Sequence, residues 1–450
     1  MSRPVLTAII RRTSVLAALA AALTASTLTT ATVVDTGQAQ CCSSIQPELP
    51  PATYYGATML RNDDPIAATQ PYQAVPPDPP AAIDTLLSRI DALEGQNGAM
   101  SPVLIEPLRG LAAAQLAGSR VTDAISTLRR SIHLARLNDG LHTPQQVAML
   151  EQLIGVHVRT GNFAAADRQQ QYLYRVQSYG RRVDNPQKYE ATLRYADWIR
   201  GAYLGDLGQQ RYPRLVGLND LYEDAIEELE ETRGESSREL LPYLQRRAEL
   251  SYLISVYPGE QESGVRVGAS SGNDFELASE AQLRFFRMRD HNFRYGLEAL
   301  QRKETILLNN DDTTSEELAS AHMAIADWYQ WNRRYAKAIR YYEEAWALSD
   351  DAAWREQVFQ EPLELPRDTV FTPGVMPLGT LNKAEVALRF DVSRHGEAKD
   401  ITILSEENRE TQSGITRAYH YLRNVRFRPR LLDGQVVRAE NVERTYQVKY

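Results

Sequence analysis

The sequence has few of the residues that build metal sites and disulfide frameworks. It contains two cysteines, Cys41 and Cys42, and seven histidines in 450 residues. A disulfide between adjacent cysteines is strained, so we expect either two solvated thiols or a bond that joins two chains as a dimer through Cys41 and Cys42. No cysteine and histidine spacing typical of a zinc site occurs. The sequence therefore predicts no metal and no cofactor.

Signals for enzymes and for nucleic-acid binding are also scarce. There is no phosphate-binding glycine loop and no His-Glu-x-x-His pair, and we expect no enzymatic activity. The acidic run from Glu223 to Glu235 is typical of a solvated helix face rather than of paired catalytic carboxylates. The formal net charge of -8 and the lack of a basic block argue against nucleic acid as a partner.

The first forty residues indicate export. Arg11 and Arg12 precede an uncharged run from Thr13 to Val34, and Gly37-Gln38-Ala39 offers a cleavage site. Residues 1–39 are therefore predicted to be a signal peptide, which places the protein in the periplasm. The alternative is an uncleaved anchor in the inner membrane with the rest of the chain facing the periplasm, because the run is long enough to span a bilayer. Membrane contact is expected only in that second case.

Proline spacing divides the rest of the chain. Residues 40–80 are rich in proline and poor in apolar residues at helical spacing, which predicts a disordered, extended tether. A second proline-spaced stretch precedes the C-terminal strands, and we predict a linker at 351–380. The two predicted domains are thus a helical part at 81–350 and a strand-rich part at 381–450.

The helical part reads as a series of helix pairs. Apolar residues recur at helical spacing, and short polar turns separate the segments. The clearest pair is Ala321–Asp350, in which small alanines allow two helices to approach closely. The matching positions, which resemble those of the tetratricopeptide repeat (TPR) family, are Ala326, Tyr329, Ala338, Tyr342 and Ala345. The resemblance implies a mainly α protein built as a TPR-like α-solenoid, with an open face that binds other proteins.

Stacked repeats leave one face free for an extended or helical peptide. Tyr329 and Arg333 lie where such a groove is expected, as do Tyr195 and Arg200, and we predict Tyr329 and Arg333 to contact a partner. Ordinary packing and solvated faces are the alternative for these side chains.

The end of the chain alternates apolar and polar residues as strands do. Two strands, Ala384–Val392 and Ala398–Leu404, precede a helix that begins near Ser413. A third strand, Val425–Leu431, leads into the Asp433-Gly434 turn, and a fourth follows it. Pro429 is expected at an edge or a strand end. The prediction is a small α+β domain with the order ββαββ.

This order resembles the C-terminal domain of TonB, the bacterial energy transducer. The matching residues are Phe390, Val392, Gly396, Leu422, Arg426-Phe427-Arg428-Pro429, Asp433-Gly434 and the closing strand to Tyr450. The resemblance implies a domain that captures a segment of an envelope or outer-membrane protein by adding a strand to its sheet. The strand predicted to accept it, if it lies at the sheet edge, carries Val442, Thr445, Tyr446, Gln447 and Val448.

Together these features predict an exported cell-envelope scaffold or adaptor that binds proteins. The alternative is a membrane-anchored transducer of the TonB type that supports outer-membrane transport.

Overall fold

The structure is a computed structural model, and it describes most of the chain after residue 78. The described residues are 52–54, 57–61, 79–181, 185–205, 207, 211–257, 280–366, 383–405 and 412–449. The predicted signal peptide, the Cys41–Cys42 pair and much of the predicted tether lie outside them. Within the described part, no helix is both long and apolar enough to cross a membrane.

Helices make up the first and larger part of the described chain. They are α1 (Pro79–Asn97), α2 (Ile105–Ala117), α3 (Val121–Asp139), α4 (Val147–Arg159), α5 (Phe163–Ser178), α6 (Pro186–Leu204), α7 (Arg211–Arg233), α8 (Leu241–Ser255), α9 (Glu280–Asp290), α10 (Asn292–Leu308), α11 (Ser315–Trp331), α12 (Tyr335–Leu348) and α13 (Ala352–Phe359). From α2 onward most of them pack in consecutive pairs, so the predicted helical repeats are confirmed in coarse form.

Three of the hairpins share one turn conformation. The residues Ser119, Gly161 and Arg333 have φ values of 58°, 70° and 58°. In each turn the next amide donates to the carbonyl five residues earlier, as Arg334 does to Tyr329. This arrangement closes a helix C-terminus by satisfying its free carbonyls. The recurrence of one turn at α2–α3, α4–α5 and α11–α12 shows that these hairpins are structural repeats.

The strand-rich part contains one larger sheet and two small ones. Its strands are β1 (Ala52–Tyr54), β2 (Ala57–Arg61), β3 (Leu363–Leu365), β4 (Lys383–Val392), β5 (Ala398–Ile403), β6 (Arg426–Arg428), β7 (Arg430–Leu432), β8 (Gln435–Val437) and β9 (Ala439–Lys449), with helix α14 (Gln412–Asn424). The larger sheet has the order β1-β2-β9-β4-β5, and β3 pairs with β6 and β7 with β8. Helix α14 packs on the larger sheet, where the Cβ of an alanine at Gly414 would come within 2.9 Å of Ala384.

The predicted order ββαββ needs correction in its second half. Pro429 interrupts the predicted third strand, so β6 and β7 pair with different partners. Asp433 and Gly434 have φ values of 49° and 79°, which confirms a two-residue turn, but the hairpin that it joins has only three residue pairs. Beyond Arg438 the chain leaves that hairpin, and β9 pairs antiparallel with β4 instead.

Two predicted unstructured regions contain regular structure. The predicted linker at 351–380 begins with α13 and β3, while residues 367–382 lie outside the described part. The predicted tether at 40–80 contains β1 and β2, and β2 pairs with β9. A single hydrophobic core runs from Ala196 in α6 through the last hairpin to Val448 in β9. The helical and strand-rich parts are therefore not separated by a contact-free linker.

Candidate functional site

Strand β9, which was predicted to accept a partner strand if it lies at the sheet edge, has neighbours on both sides over part of its length. It pairs with β4 from Ala439 to Lys449, and β2 pairs with its other side from Tyr446 to Lys449. In the described residues, the stretch Ala439–Thr445 has a strand partner only in β4. The condition of a free sheet edge is therefore not met at residues 446–449, because β2 of the same chain pairs with that side.

The side chains predicted to set the register of a captured strand have different environments. Tyr446 and Val448 are fully buried, Val442 and Thr445 are half-buried, and the side chain of Gln447 is not described. The Tyr446 hydroxyl donates to Glu364 of β3 over 2.7 Å, and Tyr421 of α14 donates to the same carboxylate. Tyr446 therefore ties β9 to β3, and whether a partner contacts this strand stays a prediction.

Tyr329 and Arg333, predicted in a peptide groove, lie at the C-terminal end of α11. Tyr329 is only 4% exposed, and its ring lies 6.0 Å from that of Phe293 and 5.6 Å from that of Tyr341. Tyr329 therefore packs among the rings of neighbouring helices, and its contact with a partner stays a prediction. Arg333 is exposed in the turn after α11.

A buried ion pair joins α11 to β6, and the sequence did not reveal it. Arg428 is 1% exposed, and its Nη2 lies 2.7 Å from Oδ2 of Asp327 while its Nε lies 3.0 Å from Oδ1. Tyr342 donates to Asp327 as well, and burial raises the pKa of Tyr342 well above its usual 10.0. Burial alone would lower the pKa of Arg428, but the adjacent Asp327 carboxylate raises it. Arg428 is therefore charged in the folded protein.

A side-chain amide makes a second link at the same place. Nε2 of Gln330 donates to the carbonyl oxygens of His395 and Phe427, at 2.5 and 3.0 Å. Gly396 approaches this amide so closely that a Cβ there would lie 2.1 Å from Nε2. These contacts fix β6 and the β4–β5 turn against the last helix hairpin.

Beside this junction lies a cavity of about 270 Å³. Helices α8, α10 and α11 and the end of β3 form its walls. The lining residues are Gln245, Ala248, Glu249, Tyr252, Leu300, Lys303, Ser320, Met323, Ala324, Asp327, Leu365 and Pro366. Polar and apolar side chains thus line one concave space in similar measure.

The charged groups near this cavity hold one another in place. Arg246 of α8 lies 3.1 Å from both Asp197 of α6 and Glu249 of its own helix. Burial alone would lower the pKa of Arg246, but the Glu249 and Asp197 carboxylates raise it. Lys303 donates to Gln245 over 2.9 Å, which orients both side chains at the cavity wall. The polar side chains at the rim of the cavity are thus held by contacts within the chain itself.

One sequence pattern typical of a catalytic serine was not included among the predicted sites. Gly268-Ala269-Ser270-Ser271-Gly272 has the glycine and serine spacing of a nucleophile elbow. Such an elbow requires a strand before the serine and a helix after it, and this segment lies outside the described residues. Where the structure does describe the chain, it contains no group of three acidic, histidine or cysteine residues that could hold a metal.

Comparisons with known proteins add little to this geometry. No protein-family model and no curated protein matches the chain. A solved structure from Podosopora anserina, named for kinesin light chain and for nearly identical TPR-like repeats, superposes with a TM-score of 0.32 at 14% identity, over 55% of this chain and 96% of that one. BtubC (BKLC) from P. vanneervenii superposes with a TM-score of 0.30 at 12% identity, over 61% and 91%. Similarity at this level does not reveal function.

Proposed function

We propose that the protein is an interaction scaffold that binds a segment of another protein on its helical part. The observation that carries this proposal is the cavity between α8, α10, α11 and the end of β3. Its volume of about 270 Å³ is suited to a large side chain, and Glu249, Lys303 and Ser320 make part of its lining polar. A bound segment would place one anchoring side chain in this space, as hot-spot residues do at protein interfaces.

The cavity depends on both parts of the molecule. Leu365 and Pro366 close one side, and β3 is held in place by its pairing with β6 and by the bonds of Glu364 to Tyr421 and Tyr446. The strand-rich part therefore contributes directly to the proposed binding site. In this proposal it acts as a structural member of the scaffold, not as a separate module.

The cellular setting is proposed from the first forty residues. The protein would be exported, would face the periplasm and would bind envelope or outer-membrane proteins. Strand capture at β9 is part of the same proposal, and an incoming strand would pair beside Ala439–Thr445 or replace β2. Isolation of the mature protein from its host distinguishes the two settings: an N-terminus near Gln40 supports the scaffold, whereas retention of residues 1–34 in the membrane supports a TonB-type transducer.

A peptide selection tests the binding site directly. Peptides enriched from a displayed random library against the purified protein are synthesised, and their dissociation constants are measured by fluorescence anisotropy. Ala324→Phe fills the cavity from α11 and is expected to weaken binding at least about tenfold, since an anchoring side chain loses its space. Ala113→Phe, at an exposed position of α2, is the matched control. Equal affinity for Ala324→Phe and the wild type would refute the proposed site.

A further inference from the structure

A basic surface lies where the end of α9, the start of α10 and the α11–α12 turn carry exposed cations, none of which lines the cavity. Six exposed cations form it: Arg287 and Arg289 in the last turn of α9, Arg294 in the first turn of α10, and Arg333, Arg334 and Lys337 at the turn into α12. We call these six residues the basic surface. The chain as a whole has a net charge of -8, so a cluster of one sign is unexpected.

Ring contacts show that the two basic segments meet. The Arg334 guanidinium lies 3.8 Å from the centre of the Phe293 ring, directly beside Arg294 in the chain. Lys337 Nζ lies 5.3 Å from the Tyr329 ring, which itself is 6.0 Å from the ring of Phe293. Arg334 and Lys337 of the α11–α12 turn therefore contact two neighbouring aromatic rings, and one of these rings belongs to the residue that precedes Arg294 in α10.

None of the six cations forms an ion pair with a carboxylate among the described residues. Their neighbours in sequence offer little compensation: residues 287–294 contain one acid, Asp290, and residues 332–340 contain none. Some arginines elsewhere on the helices are paired, as Arg284 is with Asp220 and Arg238 with Glu317. Uncompensated positive charge on an otherwise acidic protein attracts an anionic partner and speeds its association.

Two observations favour an acidic protein segment over nucleic acid. Single strands of nucleic acid bind where bases can stack on open aromatic rings, but Arg334 covers the Phe293 ring and Tyr329 is buried. In addition, the overall negative charge opposes a long polyanion, whereas a short acidic segment needs only the local cluster. We propose that the basic surface docks an acidic segment of a partner protein. This is a second interaction site, and it does not depend on the cavity.

The test measures binding of a fluorescent oligoglutamate peptide to the full chain by anisotropy at low and at high salt. We expect saturable binding that salt weakens. A triple variant should weaken the binding of the peptide roughly tenfold or more, because charge reversal replaces attraction by repulsion. It combines Arg294→Glu, Arg333→Glu and Lys337→Glu. Arg334 is kept, since it packs on Phe293.

The matched control reverses the charge of three exposed arginines that lie outside the basic surface. These substitutions are Arg89→Glu in α1, Arg159→Glu in α4 and Arg417→Glu in α14. The control changes the net charge equally, and the affinity should stay within about twofold of the wild type if local charge decides it. A neutral set, Arg294→Gln, Arg333→Gln and Lys337→Gln, serves if the reversed protein fails to fold. An equal loss in the control, no saturable binding, or tighter binding to oligothymidine or to phosphatidylglycerol vesicles than to oligoglutamate would overturn the proposal.

Discussion

The two ends of the helical part are held together by different kinds of contact. Around α1–α5 the cores are mainly aliphatic and alanine side chains from helices that are close in sequence, such as Leu111, Leu128 and Leu150. At the other end, α11 buries Asp327 and Gln330, whose partners Arg428 and Phe427 lie about a hundred residues away. Local apolar spacing thus explains the first region, but only the complete fold explains the second.

The largest expected effect comes from breaking the buried ion pair. Arg428→Ala leaves the Asp327 carboxylate buried without its cation, and we expect a loss of about 3–5 kcal/mol in the free energy of unfolding, measured with urea. Arg389→Ala removes an exposed pair with Glu443 and should cost at most about 1 kcal/mol. Similar costs for both variants would show that the junction is no stronger than a surface contact.

The next effect tests close packing within the last hairpin. Ala338 of α12 is fully buried where this helix packs on α11. Ala338→Glu places a charge there and should lower the free energy of unfolding by an amount on the order of 3 kcal/mol or more. Ala336→Glu, at an exposed position of the same helix, is the control. An unchanged melting profile for Ala338→Glu would mean that these helices do not pack as described.

A substitution at Gly396 tests how closely the β4–β5 turn packs against β6. Gly396 has a φ of 64°, and a Cβ would lie 2.0 Å from the Phe427 carbonyl oxygen. Gly396→Ala should therefore cost about 2–3 kcal/mol, from strain and from displacement of β6. Gly140 also has a positive φ, of 97°, but nothing lies near its missing Cβ. Gly140→Ala should cost only about 1 kcal/mol, so similar values for the two would argue against close contact at Gly396.

The smallest effect concerns pH and belongs to the first region. His157 in α4 is 1% exposed, and neither ring nitrogen has a hydrogen-bond partner among the described residues. Burial, aided by the charges of Arg129 and Arg168, lowers its pKa below the usual 6.5. The unfolded chain then binds a proton more readily than the folded one, so stability is complete above pH 6.5 and falls as the pH drops below it. In His157→Leu this part of the pH dependence should disappear; a profile identical to that of the wild type would show that His157 does not cause it.

The features that could be predicted from the sequence are those set by local spacing, and the ones that were missed depend on distant contacts. Helix pairs and the Asp433-Gly434 turn are set by neighbouring residues, and both were predicted, whereas the third strand was predicted to continue through Pro429. Arg426 and Arg428 alternate with apolar residues and read as a solvated face, yet both are buried because β6 lies between the sheet and the helices. Local pattern does not show that a second layer covers a strand.

The candidate sites were harder to predict for the same reason. The basic surface was missed because its cations come from two segments, neither of which is a basic block by itself. The cavity combines three helices with Leu365 and Pro366, which a linker was expected to contain. Arg333 was singled out by sequence, but the fold is needed to bring its neighbour Arg334 against Phe293, the residue next to Arg294.

We expect the last helix hairpin and the strand-rich part to unfold together as one cooperative unit. Hydrogen exchange of the full chain, followed by mass spectrometry at increasing urea concentration, tests it most directly. Peptides from α11, β6 and β9 should lose protection together, and Arg428→Ala should shift all three to lower urea by the same amount. Loss of protection in β4–β9 while α11 and α12 remain protected would contradict the claim, since it would show two parts that unfold independently.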